Sequence, residues 1–263
     1  GKTLAVATAQ NRLSTCNVVL KYLRGNRDIR IRPAIALEAQ RHTVRTEPPQ
    51  LCRRALANAQ SELSDKGQNR IAAMLSLCRE LGLRVREAAL LDCWQALDQA
   101  AARGEVSIVR GTKGGRSKST LTSPSRVERL IPVTNHVISA LTIAAKLQGR
   151  RDNLIPEGSK LVDFMANIRR HTRPVLQQYG IKNRHELRAA YACDRYQKLT
   201  GLPAPVVAGG RQLSKDADKK ARETIACELG HSRPDVLNAY IGTSKAKPSD
   251  KTAILARSEL LEN

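Results

Sequence analysis

Runs of apolar residues at three- and four-residue spacing, most of them closed by a glycine, recur along this chain and commit it to a mainly helical fold. Residues 8 to 24 set Leu13, Cys16, Leu20 and Leu23 on one amphipathic face ahead of Gly25, and residues 69 to 81 set Ile71, Met74, Leu75, Cys78 and Leu81 ahead of Gly82. A second helix is expected to follow across 85 to 101. Others are expected near 135 to 148, 159 to 178, 185 to 199 and 217 to 229, with Gly180, Gly201 and Gly230 as stops. One stretch breaks toward strands. Val106 and Ile108 alternate with polar neighbours, a Gly/Lys/Ser-rich segment fills 111 to 125, and Leu130 and Val133 resume the extended pattern. That is the signature of a β-hairpin with a long basic tip. The expected fold class is mainly α with a small antiparallel β-sheet.

A length of 263 residues fits one sizeable domain and a smaller unit. The consecutive Pro48 and Pro49 mark the expected boundary, near the end of a stretch of fifty residues with nine Lys or Arg against three Asp or Glu. Residues 201 to 216, with Pro203, Pro205, Gly209 and Gly210, have no helical period and read as a surface loop or insertion. After Tyr240 a polar linker with Lys245, Lys247 and Pro248 leads to Ile254, Leu255, Leu260 and Leu261. The chain opens at Gly1 without an initiator Met, as a fragment of a longer polypeptide would.

Charge identifies the partner. Lys and Arg number 45 against 24 Asp and Glu, a net +21 that points to a polyanion. Aromatic residues make up only 3%, with one Phe and one Trp, too few for a base-stacking platform, so duplex backbone binding fits better. The six cysteines form no C-x-x-C pair and mostly fall in apolar helical stretches, which reads as reduced core thiols. Neither an 18-residue apolar run nor a signal pattern is present, so a soluble, cytoplasmic, nucleoid-associated protein without a membrane partner is expected. Charge alone also fits a ribosomal or architectural nucleic-acid protein, or a membrane-surface binder.

The order of several individually weak motifs narrows the field. A Gly82-Leu83-Arg84 turn with Glu87 is followed by Lys113 in the hairpin, His185 and Arg188 in HELR, Leu229-Gly230-His231-Ser232, and Tyr240 nine residues beyond His231. Each string alone has a plain structural reading, HELR as a helix with exposed polar residues and Tyr240 as a core tyrosine. Together, over roughly residues 50 to 242, they resemble the catalytic domain of the tyrosine recombinase (phage integrase) family. The resemblance implies a site-specific recombinase that cuts and rejoins duplex DNA through a 3′-phosphotyrosyl intermediate, in the integration or excision of a mobile element or prophage. It also implies three regions: 1–48 as part of a helical DNA-binding segment, 49–242 as the catalytic domain, and 243–263 as a tail for protomer contacts.

The chemistry of phosphodiester displacement gives each matched residue a role within that resemblance. Arg84 and Arg188 would meet the charge that builds on the phosphoryl oxygens, because a guanidinium stays charged and offers a planar fork. Tyr240 would be the nucleophile and His185 the base that takes its proton. His231 would donate to a phosphoryl oxygen, with Ser232 as N-cap and Pro234 opening the helix that presents Tyr240. Lys113 would protonate the departing 5′ oxygen, with Lys118 as the competing choice. Glu87 would orient Arg84 or cap its helix. No cofactor and no metal site is expected, since two arginines supply the charge a metal otherwise would. GTKGGR lacks the spacing of a nucleotide phosphate loop.

Further DNA contacts are expected from Arg12, Lys21 and Arg24 on the first helix and from Arg116 and Lys118 in the hairpin tip. The 43-residue interval from Arg188 to His231 is long for the family, and its inserted part, 201 to 220, brings Arg211, Lys215, Lys219 and Lys220. The apolar tail, 252–261, is expected to dock on a neighbouring protomer in a tetrameric synapse, with docking on its own core as the alternative. Two other functions share these features: a type IB topoisomerase, and a DNA-binding accessory protein without catalysis.

Overall fold

The computed structural model describes residues 4–25, 30–112 and 129–243. Lys113, Arg116, Lys118 and the rest of the hairpin tip lie outside the described residues, as does the tail from 244 onward. The chain divides into two compact units, 1–43 and 44–263, a division that falls just ahead of Pro48 and Pro49.

The first unit holds α1 (Val6–Arg24) and α2 (Pro33–Ala36). Gly25 ends α1 in the left-handed conformation, as its sequence position predicts. None of the α1 residues is buried: Leu13 and Leu20 are half-buried, while Cys16 and Leu23 on the same expected face are exposed. The unit is instead clipped by polar contacts. The Asn17 amide donates to Ile31 O and accepts from Ile31 N at 2.8 and 2.9 Å, and Gln10 Nε2 donates to Ala39 O at 2.7 Å. Arg12, Lys21 and Arg24 are exposed.

The larger unit is built around α4 (Asn69–Glu80), whose Ile71, Met74, Leu75, Leu77 and Cys78 are buried. A buried Leu or Ile contributes roughly 1.5–3 kcal/mol, so this helix anchors the unit. Against it pack α3 (Arg53–Asp65), α5 (Val85–Ala89), α7 (Asn135–Gln148) and α9 (His185–Thr200). The first of these has no counterpart in the sequence reading. Its buried positions are only Leu56, Ala59 and Leu63, and neighbouring helices rather than its own pattern hold it. The helix α8 (Leu161–Gln178) covers α3.

The single helix expected across 85 to 101 is two. α5 stops at Ala89, and α6 (Cys93–Arg103) starts afresh because the Asp92 side chain accepts from Gln95 N at 3.2 Å. Such a cap is worth about 1 kcal/mol, enough to fix a boundary that apolar spacing cannot show. The strands β1 (Glu105–Ser107) and β2 (Leu130–Pro132) pair antiparallel in the register Glu105↔Pro132, Val106↔Ile131, Ser107↔Leu130. The architecture is mainly α with a small antiparallel sheet, the expected fold class.

Three further expectations change. The 201 to 216 stretch contains the short helix α10 (Pro205–Ala208), whose Pro205 and Val206 are buried rather than displayed on a surface loop. Of the six cysteines only Cys78, Cys93 and Cys193 are buried, where burial pushes their thiols up to about 12; Cys16, Cys52 and Cys227 are exposed. After α11 (Lys215–Glu228) a 3-10 turn, Pro234–Leu237, runs into α12 (Asn238–Ile241). The turn is capped by Arg233, with Pro234 in its first position, so Ser232 is not the N-cap. Among the described residues no helix is long and apolar enough to cross a membrane.

Candidate active site

The turn that carries Arg84 is set by Gly82. Its φ is +58°, and a Cβ there would lie 2.6 Å from the Tyr191 ring and 2.8 Å from Leu229 Cδ2, so only glycine lets the three segments close. The Gly82 carbonyl in turn receives Arg188 Nη1 and, at 3.3 Å, Arg129 Nη2. The Gly-Leu-Arg motif is therefore a receptor for one arginine as well as a bearer of another.

Arg84 caps α5. Its backbone N–H donates to Glu87 Oε2 and its Nη1 to Oε1, both at 2.7 Å, and its side chain stays a quarter exposed. Glu87 itself is buried and also holds Arg129 Nη1 at 2.8 Å. Burial alone would push the Glu87 carboxyl up, but Arg129 and Arg84 together hold it below its ordinary range. The expectation that Glu87 orients Arg84 agrees with these bonds.

Arg188 projects from α9 and is 1% exposed. Its Nη1 and Nη2 reach the carbonyls of Gly82 and Leu229, which ties the α4–α5 turn to the end of α11. The same guanidinium also reaches Tyr240 and His231: Nε lies 3.3 Å from the Tyr240 hydroxyl and Nη2 lies 3.4 Å from His231 Nε2. His231 Nε2 closes the triangle, 3.2 Å from the Tyr240 hydroxyl. Burial, with Arg84 and Arg129 nearby, brings the Arg188 guanidinium down to about 10, so it remains charged at neutral pH.

The end of α11 is fixed by a second buried carboxylate. Glu228 accepts from Tyr191 Oη at 2.8 Å and from Arg195 Nε at 2.8 Å, while its carbonyl accepts from Arg129 Nε at 2.6 Å. Leu229, Gly230 and His231 follow from that anchored position. Burial, then Arg188 and Arg84, press the His231 imidazole down to about 4. Partial burial of its ring, then Arg188 and Arg84, lower His185 too, and both rings are predominantly neutral at pH 7.

Of the residues singled out by sequence, Arg188, His231 and Tyr240 are in mutual contact, and Arg84 joins them through its charge. His185 is different. It is exposed at the start of α9, and its side chain bonds no other described residue, so the ring against the Tyr240 phenol belongs to His231. Sequence reasoning missed Arg129, a fully buried cation just ahead of β2. Its only signal was a charge entering an otherwise apolar extended run. It also missed the Arg45–Glu186 pair, 2.7 Å apart, whose partners stand 141 positions apart and share no motif. Among the described residues no cluster of three or more His, Cys, Asp or Glu is placed to hold a metal ion.

Residues 43–194 match the protein family described as Integrase. The match begins at the boundary between the two units and takes in Arg84, His185 and Arg188, whereas His231 and Tyr240 lie beyond its end. No curated protein and no solved structure matches the chain. With more than half its length matched, the chain belongs to the integrase family, the phage integrases or tyrosine recombinases that act on DNA.

Proposed function

We propose that this protein is a tyrosine-type site-specific recombinase that cuts and rejoins duplex DNA through Tyr240. The observation that carries the reading is the triangle of Arg188, His231 and Tyr240, a phenol flanked by a fixed cation and a neutral imidazole. An arginine has no acceptor, so the Nε2 that faces Arg188 Nη2 presents its lone pair, and the Tyr240 O–H donates to it. The phenol oxygen accepts from Arg188 Nε.

In the proposed reaction the Tyr240 oxygen attacks the phosphorus and its proton passes to His231 Nε2. The bond from phosphorus to the 5′ oxygen breaks, leaving a 3′-phosphotyrosyl link, and the 5′ oxygen takes a proton from Lys113. Rejoining is the reverse, with an incoming 5′ hydroxyl as nucleophile and the imidazolium of His231 returning the proton to Tyr240. Arg84 and Arg188 meet the charge on the non-bridging oxygens; the phosphate takes over the Arg188 donors now engaged by Tyr240 and His231. That anion also offsets the field of the two arginines, so His231 becomes more basic as DNA binds. His185, neutral and exposed beside the triangle, suits a hydrogen bond to a phosphoryl oxygen, and the two histidines thereby exchange the roles that the family resemblance implied for them.

DNA is proposed to be held further by Arg12, Lys21, Arg24, Arg116 and Lys118, and residues 252–261 to dock on a neighbouring protomer of a tetramer. The experiment is strand exchange between two differently marked duplexes drawn from a randomised pool by covalent capture. Exchange products are expected. Covalent capture with relaxation of supercoiled DNA and no exchange would give the topoisomerase instead.

A further inference from the structure

We infer that Arg45 is a positioning residue that seats the helix bearing Tyr240 against α9, an inference that rests on the reading of Tyr240 as nucleophile. The helix α12 is four residues long, and one turn does not hold itself together in water. Its placement therefore comes from outside. Arg45 N–H donates to Asn238 O at 2.8 Å, and Arg45 Nε reaches Ala239 O, the carbonyl immediately before Tyr240, at 3.4 Å.

The same guanidinium forks onto Glu186, Nη2 to Oε1 at 2.7 Å and Nη1 to Oε2 at 3.3 Å. Glu186 is 4% exposed and stands on α9 between His185 and Arg188. One side chain thus joins the backbone of the nucleophile's helix to the helix that supplies Arg188. The far side of α12 is held by Arg222, which donates to Asn238 Oδ1 at 3.1 Å and Gly242 O at 2.9 Å while Asp218 orients it at 2.8 Å. Backbone packing closes the clamp: a Cβ on Gly242 would meet Arg45 O and Val206 Cβ, each at 3.1 Å.

A lysine cannot replace this arrangement, since it cannot fork onto a carboxylate and reach a carbonyl with a second, fixed N–H. Losing the fork leaves Glu186 a buried carboxylate without its cation and frees α12 to shift relative to Arg188. Displacement of a reacting atom by about 1 Å can cost on the order of 100-fold in rate.

The test compares full-length Arg45→Met, Arg45→Lys and Glu186→Gln with Arg79→Met, which removes a partly buried ion pair to Asp194 elsewhere in the same unit. Each protein carries 3-fluorotyrosine at its five tyrosines, with the Tyr240 fluorine resonance assigned from Tyr240→Phe. Single-turnover covalent attachment and affinity are measured on one duplex captured by the wild type from a randomised pool. Arg45→Met and Glu186→Gln are expected to move or broaden the Tyr240 resonance and slow attachment by about 10- to 100-fold, with affinity changed less than about twofold. Arg45→Lys should recover part of the rate, and Arg79→Met should leave the resonance in place. An unmoved Tyr240 resonance in Arg45→Met, or an equal rate loss in Arg79→Met at equal loss of thermal stability, overturns the inference. Should the wild type capture no DNA at all, the nucleophile reading fails, while the fluorine spectra still decide whether Arg45 positions α12.

Discussion

The Nε2 of His231 lies 3.2 Å from the Tyr240 hydroxyl, and Arg188, 3.4 Å from the same nitrogen, fixes which of the two carries the proton. A guanidinium only donates, so Nε2 is the acceptor and the phenol the donor. A tyrosine hydroxyl is a weak nucleophile until that proton leaves, and the imidazole is already in place to receive it.

The first prediction concerns His231. Its pKa in the folded chain, about 4, lies below the ordinary 6.5, so as the pH falls through 6.5 the unfolded chain takes up the proton first. Stability is full above about 6.5 and declines toward pH 4. His231→Gln should flatten part of that decline, with His185, lowered in the same direction, and carboxyls such as that of Glu87 contributing the rest. It should also slow attachment by roughly 100-fold or more at unchanged DNA affinity. Melting curves at pH 7 and 5 check the first part, and identical pH slopes in wild type and variant would contradict it.

Arg188 and Arg84 should separate by stability although both are proposed to serve the phosphate. Arg188→Met leaves the Leu229 carbonyl without its guanidinium donor and the Gly82 carbonyl with only Arg129 Nη2 at 3.3 Å, and each buried acceptor left unpaired costs about 1–3 kcal/mol. A loss of roughly 2–4 kcal/mol is expected in denaturant unfolding. Arg84→Met, a partly exposed pair with Glu87, should cost about 1 kcal/mol or less. Both should slow attachment by about 100- to 1000-fold. Equal stability losses in the two variants would show that Arg188 is not the tie between α4–α5 and α11.

Gly82→Ala should be worse than its one methyl implies. The left-handed backbone costs about 1–2 kcal/mol for any other residue, and the Cβ would press on Tyr191 and Leu229. A fall of more than about 2 kcal/mol is expected, with slower attachment because Arg84, Arg188 and Leu229 all meet at this turn. A variant as stable and active as the wild type would remove the turn from the account.

Much of this was legible in the sequence, and the part that was not has a common cause. Gly25, Gly201 and Gly230 end helices where apolar spacing placed the stops, because helix period and left-handed glycine are local properties. HELR and Leu-Gly-His marked Arg188 and His231 because a helix and a turn fix them within a few residues. The partner of the Tyr240 phenol was not legible: whether His185 or His231 faces it depends on how α9 and α12 lie together. Arg129, Arg45 and Glu186 were invisible for the same reason. A buried ion pair is a relation between distant positions, and either residue alone reads as ordinary surface charge.

Lys113 is tested by leaving-group chemistry. A 5′ alkoxide is the conjugate base of a very weak acid and leaves badly without a proton, whereas a bridging sulfur leaves readily. Lys113→Ala should therefore cut ordinary DNA poorly and recover on a 5′-phosphorothiolate substrate. Arg84→Ala and Arg188→Ala should not recover, since their deficit lies on the non-bridging oxygens. Recovery by Lys118→Ala instead would move the general acid to Lys118.

The most direct measurement is covalent trapping by Tyr240→Phe on a nicked duplex captured by the wild-type protein from a randomised pool. The ring and its neighbours stay in place and only the hydroxyl is lost. The variant is expected to bind that duplex with wild-type affinity and to form no denaturation-resistant protein–DNA complex, while the wild-type adduct maps to Tyr240 by mass spectrometry. A covalent complex formed by Tyr240→Phe, or a wild-type adduct on any other residue, would contradict the account.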